Sequence, residues 1–274
     1  MDSSNLVILF SFSYFLLHLP ALTTAQPDFD DYSCDYYNNV GNYTTNSTFQ
    51  RNLNSLLSSL ASNTQIDYGF YNLSVGEIPE RVNAIALCRG DVAVDACQRF
   101  VNNSILEILQ VCPNRMEAFG VYELCMIRYS NRSIFGVLEE RPSMDMANGP
   151  KVLDVNLFNQ ALQTLLARLQ GRATSGNSLR KFATGNQSAG FETVYALVQC
   201  TPDLSEQQCS SCLLGLFRMI TSDGNMQWKI GVRLARPSCN LRWETGSFFN
   251  VTPETLPPPT QASPISPPVA QGRP

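Results

Sequence analysis

The sequence predicts an α+β fold built twice: two tandem disulfide-stapled domains, each about 100 residues, a size at which a core gains from cross-linking. Three observations predict it. Cys200, Cys209 and Cys212 form a Cys-x8-Cys-x2-Cys cluster, and Cys88, Cys97 and Phe100 repeat that frame with the last thiol lost. Phe49, Leu53, Leu56, Leu57 and Leu60 have the spacing of a helix that buries one face, and Phe158, Leu162, Leu165, Leu166 and Leu169 reproduce it 109 residues later. A closing frame, Cys-x-(Ile/Leu)-Arg-(Tyr/Trp)-x3-Ser-x-Phe, runs from Cys125 to Phe135 and again from Cys239 to Phe249. Matching blocks at nearly constant offset mark an internal duplication.

In chain order, Leu6 to Leu17 are apolar, Pro20 breaks the run, and small residues follow at Thr23-Thr24-Ala25. This reads as a secretory signal peptide over 1–25, because about twelve apolar residues are too few to span a bilayer. Seven Asn-x-Ser/Thr sequons, beginning at Asn42, Asn46, Asn72, Asn102, Asn131, Asn186 and Asn250, agree with secretion and a glycosylated surface. The first domain is expected over 26–138. Behind its first helix, Ile66, Tyr68 and Phe70 alternate, and Val82 to Leu87 run as a strand into Cys88. In the second half Phe182, then Phe191 to Val198, run into Cys200. Each cysteine cluster opens an apolar helical stretch, Val101 to Val111 and Leu213 to Ile220. Residues 139–151, with Pro142, Gly149 and Pro150, read as a linker, and the second domain as 152–250. Over 251–274 Pro, Ser and Thr dominate, a composition that builds no core, so a disordered tail is expected.

Nine cysteines cannot all pair internally. Repeat one has Cys34 and Cys112; repeat two has neither, with Gly224 where Cys112 would map. Two cysteines absent together are most simply the two ends of one bridge, so Cys34 is paired with Cys112. Cys209-x2-Cys212 is half of a zinc-ribbon spacing, but its other half is missing and the single histidine, His18, lies in the signal peptide. No metal and no cofactor are therefore expected. Without a histidine in the mature chain, Ser-His-Asp and Cys-His nucleophiles are excluded. No carboxylate pair has a distinctive spacing, so the chain is read as no enzyme and no catalytic residue is assigned. A net charge of −4 without a basic run argues against nucleic acid.

The doubled, secreted Cys-x8-Cys-x2-Cys pattern resembles the plant cysteine-rich repeat family, the ginkbilobin-like or stress-antifungal domain of cysteine-rich repeat secretory proteins and cysteine-rich receptor-like kinase ectodomains. Lys181-Phe-Ala-Thr-Gly185, Val198-Gln-Cys-Thr-Pro-Asp-Leu204 and Arg236-Pro-Ser-Cys-Asn240 carry the likeness outside the cysteines. The resemblance covers Asp28 to Phe249. It implies two helices packed on a five-stranded antiparallel sheet in each repeat. It also implies bridges Cys88–Cys97, Cys200–Cys209 and Cys212–Cys239, which leaves Cys125 a free thiol opposite Phe100. Phe100 is expected to pack against it. Mannose-binding members use an Asn, an Arg six residues before the closing cysteine and a Glu five after it. Repeat one holds Asp35, Phe119 and Ser130 at those places; repeat two holds Asn148, Arg233 and Glu244, the candidate glycan-binding set. A guanidinium donor and a carboxylate acceptor suit a sugar, and they equally suit a cross-strand ion pair.

The expected function is a secreted or cell-surface, non-enzymatic recognition module acting in stress, defence or receptor signalling. It would bind an extracellular protein partner or a mannose-type glycan, in the apoplast or at the outer face of the plasma membrane. The alternatives are an independent mannose-binding antifungal lectin and the truncated ectodomain of a cysteine-rich receptor-like kinase.

Overall fold

The computed structural model describes residues 29–34, 40–62, 69–175, 180–223 and 226–249. Residues 1–25, expected to be a signal peptide and containing His18, then Asp35, Ile66, Tyr68, Gly224, Asn250 and residues 251–274, expected to be a tail, all lie outside these residues. The first repeat runs β1 (Asp31–Cys34), α1 (Thr48–Ser62), β2 (Phe70–Val75), β3 (Val82–Cys88), α2 (Val94–Val111), β4 (Glu117–Val121) and β5 (Cys125–Ser130). The second runs β6 (Met144–Lys151), α3 (Val155–Thr174), β7 (Phe182–Ala189), β8 (Glu192–Cys200), α4 (Glu206–Ser222), a 3-10 turn (Met226–Trp228), β9 (Lys229–Ala235) and β10 (Cys239–Glu244). The strand orders are β1-β4-β5-β3-β2 and β6-β9-β10-β8-β7, antiparallel throughout and equivalent strand for strand. Each repeat is therefore two helices on a five-stranded antiparallel sheet.

The apolar period drives this packing. Phe49, Leu53, Leu56, Leu57 and Leu60 of α1 are buried against Val82, Ala84 and Ala86 of β3. In the second repeat Phe158, Leu162, Leu165, Leu166 and Leu169 of α3 lie in a core with Val194, Ala196 and Val198 of β8. Each such side chain contributes about 1.5–3 kcal/mol on leaving water. The helix starts are less alike. Ser205 and Gln208 form a reciprocal capping box on α4, whereas α2 begins at Ala93 with no side-chain cap. Repeat one has thus lost a cap as well as a thiol.

Cys34–Cys112 ties edge strand β1 to the end of α2, and Cys88–Cys97 and Cys200–Cys209 tie the end of a central strand to the helix that follows. Cys212–Cys239 fastens α4 to β10. Cys125 is unbonded and buried; Ser104 Oγ lies 3.4 Å from its sulfur. Phe100, one turn before Ser104, is partly buried against the same core. Burial in apolar surroundings pushes the Cys125 thiol up to about 12, against a partial opposing effect of the Ser104 hydrogen bond.

Three boundaries differ from expectation. Residues 139–151, read as linker, contain β6, which pairs with β9 from Met144↔Ala235 to Lys151↔Lys229. This edge strand buries only Met144, so it carries no run of buried apolar positions to betray it. The sequence also suggests a strand-like run from Gly120 to Leu124 that ends at Cys125, but β4 stops at Val121 and Cys125 instead opens β5, opposite Cys88. Phe191 belongs to the β7–β8 turn rather than to β8, and its ring is fully exposed.

The two sheets meet through a third apolar cluster. Phe70, Ile85, Leu87, Phe119, Val121 and Met126 on the outer face of the first sheet pack with Met144 and Ala235 of the second. Every residue of β3 is buried, including Asn83, whose Nδ2 donates to Arg132 O (2.7 Å), and both faces of that sheet are covered there. Polar ties rim the seam: Gln199 Nε2 donates to Cys88 O (3.0 Å), and Glu139 N donates to Ser238 Oγ (2.8 Å). Beside it, Arg128 and Arg132 hold the buried carboxylates of Glu117 and Glu139.

Candidate functional site

Asn148, Arg233 and Glu244 sit on three adjacent strands, β6, β9 and β10. Asn148 is the register partner of Gly231, and Glu244 ends the strand on the other side. A Cβ at Gly231 would collide with Glu244 Oε2 and Asn148 Oδ1, so those two side chains lean toward each other over a bare stretch of backbone. Glu244 Oε1 is taken by Arg242, at 3.0 Å from Nη2. Arg233, two residues along β9, turns to the first domain. It pairs with Asp30 and donates to the carbonyl of Tyr122. Its burial, with the Arg242 charge beside it, lowers its pKa from the ordinary value, while Asp30 acts in the opposite direction.

Asp30 reaches Arg233 because the chain before β1 is clasped. Phe29 N donates to Glu107 Oε1 (2.7 Å), its ring lies 4.2 Å from that of Tyr122, and Asp30 N donates to Val121 O (2.8 Å). Glu107 also accepts from the Tyr122 hydroxyl. Arg242 extends the charged seam to Glu123 at 3.1 Å and lies over the Phe248 ring at 4.5 Å. Two of the three expected residues therefore converge, and the third is part of the domain contact. In repeat one, Phe119 is in the apolar seam, and Ser130 Oγ donates to buried Glu117. Burial raises the Glu117 carboxyl pKa, with the Ser130 and Arg132 hydrogen bonds acting in the opposite direction.

A second feature lies at the hairpin end of the second domain. Phe191 stands free on the β7–β8 turn; Leu153, at 81 % exposure, Leu157 and Trp228 are near it. Their proximity follows from local contacts. A Cβ at Gly190 would lie 2.9 Å from Leu157 Cδ2, Leu153 N donates to Glu192 Oε2 (3.1 Å), and Val152 N donates to Trp228 O (2.8 Å). Lys151 Nζ lies 5.1 Å from the centre of the Trp228 ring. Several exposed apolar side chains at one end, with a cation beside one of them, are the kind of surface that marks binding sites. Its sequence signal was Phe191 directly after Gly190, a large apolar residue in a turn. Of the sequon asparagines, Asn42, Asn46, Asn72, Asn102 and Asn186 are exposed and Asn131 is half-buried. Among the described residues no group of His, Cys, Asp or Glu side chains is placed to hold a metal, and no helix is long and apolar enough to cross a membrane.

The repeat geometry and its bridges agree with the comparison to known families. The salt stress response/antifungal family model matches residues 33–132 and 147–246, both copies of the duplication. The chain belongs to this family. The chain is 40% identical over 272 residues to cysteine-rich receptor-like protein kinase 29 of Arabidopsis thaliana, covering 97% of this chain and 40% of the relative. Cysteine-rich receptor-like protein kinase 28 of the same plant is 37% identical over 273 residues, again 97% of this chain and 40% of the relative. The chain thus spans about two fifths of the length of these relatives, and the kinase domain in their names is not within it. Among solved structures, the tandem DUF26 ectodomain of the Arabidopsis thaliana cysteine-rich receptor-like protein PDLP5 aligns with a TM-score of 0.63 at 26% identity, covering 80% of this chain and 100% of that one. The ectodomain of PDLP8 aligns with a TM-score of 0.64 at 20% identity, over 79% of this chain and 98% of that one, a likeness of fold.

Proposed function

We propose that this chain is an extracellular, non-enzymatic recognition module in plant stress or defence signalling, and that it binds a protein partner through the apolar end of its second domain. The observation that carries this reading is the exposed cluster of Phe191, Leu153, Leu157 and Trp228. Phe191 is fully exposed and Leu153 largely so, while Leu157 and Trp228 are 40 % exposed; such side chains, held on a tight turn and a helix start, gain energy when a partner covers them, at about 25 cal/mol for each Å² of apolar surface. The domain seam keeps the two repeats as one platform behind that end. The same surface serves a secreted protein and the outer part of a receptor.

A glycan reading has one observation in its favour, the approach of Asn148 and Glu244 over Gly231. Against it, the guanidinium that would complete the set is engaged by Asp30 and Tyr122. One experiment separates the readings. Wild type, a Phe191→Asp/Leu153→Asp variant and Glu244→Gln are tested on a panel of purified receptor ectodomains and on a glycan array. The protein reading expects an ectodomain partner whose affinity falls at least about tenfold in the apolar-end variant, an unchanged Glu244→Gln and a blank array. Array binding that Glu244→Gln removes and the apolar-end variant keeps would establish the lectin reading instead.

A further inference from the structure

The second domain has a cavity of ≈ 180 Å³ between α3 and α4, on the side away from the domain seam, that neither the partner-binding end nor the glycan set uses. Its walls are Leu162 and Leu166 from α3 and Leu214, Phe217 and Ile220 from α4. Leu162, Leu166 and Ile220 are core residues, so the cavity opens directly onto the hydrophobic core. The room exists because α3 contributes only a methyl group, Ala167, at this point. Two amides in the lining are each held by a hydrogen bond, Gln170 Nε2 donating to Ser210 Oγ (2.9 Å) and Gln227 Nε2 to Thr221 O (2.9 Å). The carboxamides of Asn159 and Gln163 stand at the mouth.

We propose that this cavity is a binding site for a small, neutral, ring-sized apolar molecule that carries one hydrogen-bonding group. Size, charge and access all lead there. An apolar protein cavity of about 150 Å³ accommodates a benzene ring, so this one takes a single ring with a small substituent. No lining residue is charged, so an ionised ligand would lose hydration with nothing to replace it. The amides at the mouth supply a donor and an acceptor for a hydroxyl or N–H. The cavity is also unshielded. Repeat one places Asn102, the first residue of a sequon, on α2 at the position Leu214 takes on α4, and neither α3 nor α4 contains a sequon. The helical face that holds this cavity is thus left without a sequon.

The test uses p-cresol, indole and toluene as neutral probes and benzoate as the charged control. Binding to the intact chain is read by calorimetry and by ligand-observed NMR. Saturable binding of p-cresol or indole is expected, at least about tenfold tighter than benzoate. Ala167→Phe should fill the space and weaken that binding by at least about tenfold. Position 167 is exposed on a helix, so this variant should fold, and a melting temperature within a few degrees of wild type verifies that it has. Absence of saturable binding by any neutral probe at millimolar concentration would overturn the proposal. So would benzoate binding as tightly as p-cresol, or probe binding that survives Ala167→Phe.

Discussion

Replacing Phe100 with cysteine should rebuild the bridge that the first domain lacks. In the second domain Cys212–Cys239 joins α4 to β10 with its Cα atoms 6.1 Å apart. Position 100 is the equivalent of Cys212 on α2, and Cys125 stands opposite Cys88 as Cys239 stands opposite Cys200. The new bridge would close a loop of 25 residues. Restricting the unfolded chain over such a loop contributes about 3.5 kcal/mol at 25 °C. The ring that is lost is only partly buried, so its removal costs about 1–2 kcal/mol. The net gain is about 1.5–2.5 kcal/mol, which raises the melting temperature of a domain this size by roughly 5–10 °C. Calorimetry reads the melting, and thiol titration in denaturant without reductant reads the bridge. Wild type should show one free thiol and Phe100→Cys none. Two titratable thiols in the variant would refute the equivalence of the α2–β5 and α4–β10 pairs. A formed bridge with an unchanged or lower melting temperature would refute the energetic argument.

The native Cys125 thiol should resist iodoacetamide at pH 8, because it is buried and protonated, and should react fully once the chain is denatured. Its folded pKa of about 12 exceeds the ordinary value of 9.0, so above pH 9 the unfolded state releases this proton first and stability falls as pH rises toward 12. Urea titrations at pH 9 and pH 10 should therefore show wild type losing about 1 kcal/mol relative to Cys125→Ala; parallel curves would contradict this. Ala93 already has the extended backbone of a cap, φ −65° and ψ 148°, so Ala93→Ser with Ala96→Gln should install the capping box found at Ser205 and Gln208. Denaturant midpoints should then rise by the equivalent of about 1 kcal/mol. In a double-mutant cycle, Asp30→Asn and Arg233→Ala should be coupled by about 1–2 kcal/mol in unfolding free energy, and additive effects would mean that the seam pair is idle.

Much of this architecture was legible in the sequence, and the rest was hidden for physical reasons. α1 and α3 announced themselves because five apolar residues at helical spacing have no other use. The duplication followed from the repeated cysteine frame and an unpaired thiol from the odd count, while its place at Cys125 was implied by the family resemblance. β1 and β6 did not show, since Asp31–Cys34 is short and β6 buries only Met144, so neither edge strand carries a run of buried apolar positions. The meeting of Asn148 and Glu244 was readable from spacing once the family resemblance was on the page. The engagement of Arg233 was not, because its partner Asp30 lies 203 residues away in the other domain. The seam itself had a signal that is plain in retrospect. The run Val82 to Leu87 does not alternate, and a strand with apolar residues on both faces needs cover on both. Phe191 is the converse case, a ring in a turn with no core within reach.

The claim that the second domain's apolar end is where this module meets a protein is tested most directly by site-specific photo-crosslinking. A photoreactive phenylalanine analogue is placed at position 191 in one sample and at position 244 in another, and each purified chain is applied to living plant cells. The account predicts a single protein adduct from position 191. Excess wild type should compete it away, the Leu153→Asp chain should not, and position 244 should give none. A protein adduct from position 244 alone, or a 191 adduct that the Leu153→Asp chain competes as well as wild type does, would contradict it.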